Sequence, residues 1–233
     1  MHLNKLQLTN FKLFEDKSFE FHESFNLVIG ENGAGKTTLL DALAIALGGW
    51  AHGYIKNQQN LRPIEDSEIR EIQKDSRFDK VKQTEVLAEG SALIVDRNRE
   101  KKTVYAKWKR QRTEGYSHTN LSGKIQYGNY PTVYNLNFKS QGTDILSYIE
   151  KVGDFTLPLI AFYECNRLWL AENELNLASS ARNKYSRFDP YVDCFHTGAD
   201  HKAVGEWILK HELASTQQKK ETPVLSSIKA AAR

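Results

Sequence analysis

The sequence predicts an α/β fold, and two observations predict it. Gly30-Glu31-Asn32-Gly33-Ala34-Gly35-Lys36-Thr37 spells GxxxxGKT between an apolar run over residues 25–29 and a helix-prone run over residues 38–47. Between Thr84 and Arg112 the period changes to two, with Val86, Leu87, Ala92, Ile94, then Val104, Ala106 and Trp108 as the apolar positions. That alternation marks antiparallel strands, with turn chemistry at Asp96-Arg97-Asn98-Arg99-Glu100 between them.

The motif carries its own chemistry. A strand, a glycine loop and a helix in that order make a cradle for a nucleoside triphosphate. Glycines let backbone amides crowd around phosphate oxygens where a Cβ would clash, and the helix adds its positive N-terminal end. Asn32, Gly33, Ala34, Gly35, Lys36, Thr37 and Thr38 are the candidate binding residues. Lys36 is the candidate catalytic cation, reaching the β- and γ-phosphates, and the Thr37 hydroxyl is the candidate ligand for Mg²⁺. ATP and Mg²⁺ are therefore the expected cofactors.

The elements follow in order. In residues 2–9, Leu3, Leu6 and Leu8 alternate with polar neighbours, and Phe19 and Phe21 share a face in residues 17–21, so both segments read as strands. Residues 25–29 read as a third strand delivering the loop, and Gly48-Gly49 as the end of the following helix. Ser67 fits the cap of a short helix over residues 67–74. Residues 84–112 read as an antiparallel β-subdomain, and residues 113–130, rich in Ser, Gly, Asn and Thr, as a loop. Residues 144–152 are helix-prone. The apolar run over residues 157–163 suits a buried core strand, with Arg167 and Trp169 beyond its end as either ligand contacts or packing residues. Val204, Trp207, Ile208 and His211 form one helical stripe, so residues 155–233 are expected to hold a core strand and a helical region.

Composition narrows the function classes. With 40% hydrophobic residues and 233 positions the chain can build a sizeable core, and no apolar stretch reaches membrane-spanning length. The first residues lack the layout of a signal peptide, so a cytoplasmic protein is expected. Cys165 and Cys194 are too few for a disulfide framework. Nor do the two cysteines have paired metal-ligand spacing, and Cys194 with His196, His201 and His211 is a scatter of single ligands whose simpler reading is structural or solvated. The net charge of +3 conceals a basic cluster within residues 97–112. A solvated hairpin face is its simpler reading; Lys101, Lys102, Lys109 and Arg110, interleaved with Tyr105 and Trp108, also leave open a nucleic-acid groove for DNA or RNA.

Leu8-Thr9-Asn10-Phe11-Lys12-Leu13-Phe14, followed by residues 25–43 with the glycine loop, resembles the N-terminal lobe of RecF/SMC-like ABC ATPases. The resemblance covers about the first fifty residues. It implies an ABC-type P-loop head with a mixed sheet and a small antiparallel sheet, and it places Lys12 beside the nucleotide. It also implies that two heads close over ATP, giving a homodimer or higher oligomer. Shorter fragments, residues 40–48, Arg167-Leu168-Trp169 and Ser186-Arg187-Phe188-Asp189, resemble the PtuA-type ATPase subunits of Septu and retron-associated antiphage defence. That likeness implies an HNH nuclease partner, and a retron reverse transcriptase with its DNA–RNA hybrid.

The family's signature loop, Walker B strand and switch histidine have no good counterpart. Leu121-Ser122-Gly123-Lys124, Leu93-Ile94-Val95-Asp96 and residues 159–164 mimic two of these elements loosely, and all three read as coincidences of composition. The chain is expected to be a first lobe whose second lobe lies elsewhere. The leading expectation is an ATPase subunit that controls a nuclease or DNA-directed assembly. The alternatives are an ABC ATPase of DNA repair or recombination, a non-hydrolysing nucleotide-bound scaffold, and a stand-alone kinase, against which Asn10-Phe11-Lys12 argues.

Overall fold

The computed structural model describes residues 1–51, 62–96, 99–127, 133–137, 153–154, 160–162, 194–195 and 212. The chain divides into two compact units, Met1–Ile160 and Ala161–Arg233. In the second unit, residues 194–195 form a turn with both side chains buried.

The first unit is built on an antiparallel sheet. The strands are β1 (His2–Phe11), β2 (Phe14–Glu20), β5 (Gln83–Asp96), β6 (Lys101–Thr113), β7 (Asn120–Tyr127) and β8 (Val133–Asn137), in the order β2-β1-β5-β6-β7-β8. A two-residue strand, β9 (Gly153–Asp154), adds to β5. A separate hairpin joins β3 (Glu71–Lys74) to β4 (Arg77–Lys80). Every strand pair among the described residues is antiparallel.

Period-two patterning decides which face of the sheet is dry. Leu6 and Leu8 of β1, Val86 and Ala88 of β5, and Val104, Ala106 and Trp108 of β6 are all buried on one side. Against that side lies α1 (Lys36–Ala51), which packs on β1, β5 and β6 and buries Ala42, Ile45, Ala46 and Trp50. Full burial of a side chain the size of Ile45 stabilises by about 1.5–3 kcal/mol, so this interface is the unit's main apolar support. The Trp50 and Trp108 rings meet at 5.5 Å, a separation suited to tilted aromatic packing. Trp108 Nε1 donates to the Ala46 carbonyl at 2.8 Å.

Several local expectations are overturned. Residues 25–29 form no strand: Phe25, Leu27 and Ile29 are 74%, 72% and 82% exposed, and nothing in the antiparallel sheet pairs with them. Gly48-Gly49 does not end the helix, which runs through both to Ala51. A Cβ on Gly49 would lie 2.8 Å from Trp108 Cδ1 and 3.1 Å from Arg110 Cδ. The missing side chain therefore serves close helix–sheet approach. The segment read as a helix capped by Ser67 is a 3-10 turn, Asp66–Glu68, followed by β3; its capping box uses Glu65 and Glu68 instead.

Much of the predicted loop over residues 113–130 is β7, which explains the signature mimic. Gly123 faces the Trp108 backbone, where a Cβ would stand 2.6 Å from the Lys107 carbonyl oxygen. Leu93-Ile94-Val95-Asp96 lies in β5, paired antiparallel with β6. Residues 160–162 carry no strand, and the remainder of the 157–163 run lies outside the described residues. So do the helices expected over residues 144–152 and 204–211, and Arg167, Trp169, Cys165, His196, His201 and the 186–189 fragment.

Candidate functional site: the glycine loop and its supports

The loop closes on itself as a cradle must. Gly33 and Gly35 adopt φ values of 85° and 91°. L-residues avoid that region, so the two glycines turn the backbone around the space before α1. The Ala34 amide donates to the Glu31 carbonyl, and the Leu39 amide begins the helix on the Gly35 carbonyl. The Lys36 ammonium arches back to donate to the carbonyls of Gly30 at 2.8 Å and Glu31 at 2.7 Å. It thus spans the loop's mouth from the first residue of α1.

The candidate residues sort by exposure. Asn32, Gly33, Ala34 and Thr37 are exposed, Gly35 and Lys36 are half-buried, and Thr38 is buried. An exposed Thr37 hydroxyl at the N-terminus of a 16-residue helix suits the metal-ligand part assigned to it. Thr38 points inward, so its side chain supports the helix. The donor set fits a nucleotide with its Mg²⁺: a backbone turned by glycines, one lysine and one exposed hydroxyl.

Behind the loop stands the turn between β1 and β2. A Cβ on Gly35 would lie 2.7 Å from Phe14 Cζ and 3.1 Å from Leu13 Cδ2, so this turn walls the cradle. The turn itself is held open in an unusual conformation, with Asn10 at φ 55° and Lys12 at φ 48°. Few residues other than glycine adopt such values. Its ties are many: the Asn10 carbonyl accepts from Thr84 Oγ1 and from the Arg70 amide, and the Lys12 amide donates to the Glu68 carbonyl.

Lys12 has partners that sequence reasoning missed. Its ammonium donates to Asp41 Oδ2 at 2.6 Å and lies 3.5 Å from Glu68 Oε1. Arg62 completes the cluster, 2.8 Å from Glu68 Oε1 and 3.6 Å from Asp41 Oδ1. Burial works to lower the Arg62 pKa, but the hydrogen bond to Glu68 and the charges of Glu68, Glu65 and Asp41 raise it overall. The signal for Asp41 was present, a lone carboxylate inside an apolar helical run. Arg62 and Glu68 gave no local sign.

The basic cluster does not form one surface. Strand alternation sends Lys101 and Lys109 to the outer face of β6 and Lys102 and Arg110 to the inner one. Arg110 is only 3% exposed, beneath Gly49 of α1. Burial pushes its pKa down to about 10. It is thereby corrected as a phosphate contact. Lys109 pairs with Glu85 at 2.9 Å, Lys102 with Glu100 at 3.1 Å and Lys107 with Glu89 at 2.6 Å. Lys107 and Lys109 thus reach across to β5, and these three lysines belong to pairs of opposite charge on partly solvated faces.

No helix among the described residues is long and apolar enough to cross a membrane. Among the same residues no group of His, Cys, Asp and Glu side chains could hold a metal.

A glycine loop entering a helix, with a lysine folded over it, on an α/β framework, defines a P-loop ATPase domain. The chain matches the AAA domain family AAA_23 over residues 5–230 and belongs to that family. It is 33% identical over 100 residues to the DNA replication and repair protein RecF of Flavobacterium johnsoniae, covering 42% of this chain and 27% of that protein. It is 33% identical over 72 residues to the DNA double-strand break repair Rad50 ATPase of Pyrococcus abyssi, covering 31% of this chain and 8% of that protein. A third relative, RecF of Francisella tularensis subsp. mediasiatica, is 42% identical over 43 residues, 18% of this chain and 12% of its own length. The matched region thus spans about a quarter or less of these relatives, and the RecF/SMC-like character of the N-terminal region agrees with them.

Proposed function

We propose that this chain is the ATP-binding lobe of a RecF/SMC-like ATPase head, and that ATP-dependent pairing of heads controls a DNA-directed assembly. One observation carries the reading: a formed phosphate cradle is led in by an exposed apolar segment. Phe25, Leu27 and Ile29, bare immediately before Gly30, would share one face of a strand and so have the composition of a strand with a buried face. Further strands, from this polypeptide or another, cover that segment in the working head. They bring the signature loop and the acidic residues that position water.

In that head Lys36 neutralises the β- and γ-phosphates and Thr37 ligates Mg²⁺, which supplies charge neutralisation at the transferred phosphoryl group. The backbone around Gly33 and Gly35 orients the triphosphate. ATP held between two heads shifts the equilibrium toward the closed pair by the difference in its affinity for the two states.

The test is ATP turnover and ATP-dependent self-association of the assembly purified with its natural partners. Both are lost in Lys36→Ala if the reading holds. Turnover that survives the substitution sinks it. Binding without turnover in the complete assembly favours the scaffold role instead.

RecF and Rad50, by the names these relatives bear, serve DNA replication and repair, and this supports DNA as the target. Within the basic cluster, Lys101, exposed on the outer face of β6, and Lys109, on the same face and paired with Glu85, are the lysines that this reading assigns to phosphate contact. A second reading, a Septu-type antiphage subunit with an HNH nuclease and, in retron systems, a reverse transcriptase and its DNA–RNA hybrid, rests on the fragment over residues 40–48 with Arg167-Leu168-Trp169 and residues 186–189. Co-purification of an HNH nuclease decides for it; a repair partner decides for the first.

A further inference from the structure

The cluster of Lys12, Asp41, Arg62 and Glu68 lies too near the cradle, and is too unevenly shared, to be only a fastening. Asp41 follows Thr37 by one helical turn, so the two side chains occupy the same face of α1. The Lys12 ammonium on Asp41 is therefore beside the helix turn that presents Lys36 and Thr37. Its neighbours Leu13 and Phe14 touch the position of Gly35. The lysine side chain is 29% exposed, whereas those of Asp41 and Glu68 are 8% and 1%. The cation has a way out, and its carboxylate partners do not.

Removing one member of a buried pair is ordinarily costly, because the other charge is left uncompensated. Arg62 changes that balance. It already holds Glu68 with both terminal nitrogens, at 2.8 Å and 3.2 Å, and stands 3.6 Å from Asp41 Oδ1. The last distance is just beyond hydrogen-bond reach. When Lys12 departs, a small advance of the guanidinium neutralises both carboxylates. A triphosphate arriving at the N-terminus of α1 supplies the competing negative charge.

We propose that the Lys12–Asp41 ion pair is an autoinhibitory latch on the nucleotide site, with Arg62 as the stand-in cation that lets Lys12 release. The proposal rests on the nucleotide-binding reading of the glycine loop. Lys12 swings from Asp41 toward the bound phosphates, and Arg62 closes on Asp41 and Glu68. Because residues 62–70 are tied to β1 through the Lys12 and Arg70 amides, the exchange also reports occupancy to that strap.

The test is calorimetric titration of the full chain with ATP and Mg²⁺, each variant being checked for folding by thermal unfolding. Asp41→Asn removes the shorter of the two ion pairs that hold Lys12, leaving Glu68 to Arg62, and tightens binding about fivefold, the equivalent of a partly exposed ion pair. Arg62→Gln leaves the carboxylates without a substitute cation and weakens binding by about the same factor. In Lys12→Met the gain from Asp41→Asn disappears. Weaker or unchanged binding in Asp41→Asn, or a gain that survives Lys12→Met, overturns the latch. Should Asp41→Asn not fold, Arg62→Gln decides alone, unchanged or tighter binding being the overturning result. The underlying site assignment fails separately, as ATP binding that is undiminished by Lys36→Ala.

Discussion

Gly35→Ala places a methyl group where two independent constraints forbid it. The residue sits at φ 91°. Left-handed backbone costs an L-residue about 1–2 kcal/mol. The new Cβ would also stand 2.7 Å from Phe14 Cζ. An overlap of that kind costs about 1–3 kcal/mol where neighbours cannot retreat. Phe14 has little room, since its ring is set edge-on against Phe19 at 5.6 Å. The sum, about 2–5 kcal/mol, falls on the loop's shape, because the loop is exposed and can distort without opening the core. Calorimetric titration with ATP and Mg²⁺ should therefore show affinity reduced by at least about thirtyfold, with thermal unfolding little changed. Adding Phe14→Ala removes the overlap but not the backbone strain, so the double variant should recover affinity only in part. Undiminished affinity in Gly35→Ala would refute the argument, because it would mean that the cradle does not depend on this turn. Full recovery in the double variant would refute the backbone component.

Gly49→Ala should lower stability by up to about 2 kcal/mol in urea denaturation, since contact with Trp108 offsets the roughly 1 kcal/mol of helix propensity gained; a stabilised variant would contradict the packing described. The Asp66 carboxyl is held below its ordinary value of 3.8 chiefly by its hydrogen bond from Lys80, with Arg112 adding a nearby charge. Its contribution is present above that ordinary value and is lost as pH falls through the lowered one, so the stability difference between wild type and Asp66→Asn should vanish on acidification. Replacing both Lys101 and Lys109 with Gln should weaken DNA binding and flatten its salt dependence, whereas Arg110→Gln should act on unfolding; filter binding at several salt concentrations separates the two. Ile29→Asp should leave the stability of this chain within about 0.5 kcal/mol while abolishing assembly of the complete head, as size-exclusion chromatography with the partners would show.

Local signals were legible where local chemistry decided the outcome. GxxxxGKT ahead of its helix-prone run located α1 and the glycine turn before it, and alternation at Val104, Ala106 and Trp108 located β6 with the correct inward face. The same alternation, applied to the charges, would have separated Lys101 and Lys109 from Lys102 and Arg110. Composition grouped them because it ignores strand direction. Gly48-Gly49 read as a helix end because glycine often stops helices; only the approach of Trp108, far along the chain, reveals the other use. Ser67 lost the capping role to Glu65 and Glu68 because the turn also answers to Arg62 and Arg112. Lys12 finds Asp41 and Glu68 across long stretches of chain, and no periodicity links them. The segment over residues 25–29 is apolar enough for a strand and reads as one, but strand formation requires a hydrogen-bonding neighbour that the described sheet does not provide.

That bare segment also has a practical consequence. A short stretch rich in Phe, Leu, Val and Ile, lying open to solvent, is an adhesive edge of the sort that seeds precipitation or recruits chaperones. With that segment bare the protein should clump increasingly as concentration rises, and Ile29→Asp, which breaks the apolar run, should keep it in solution.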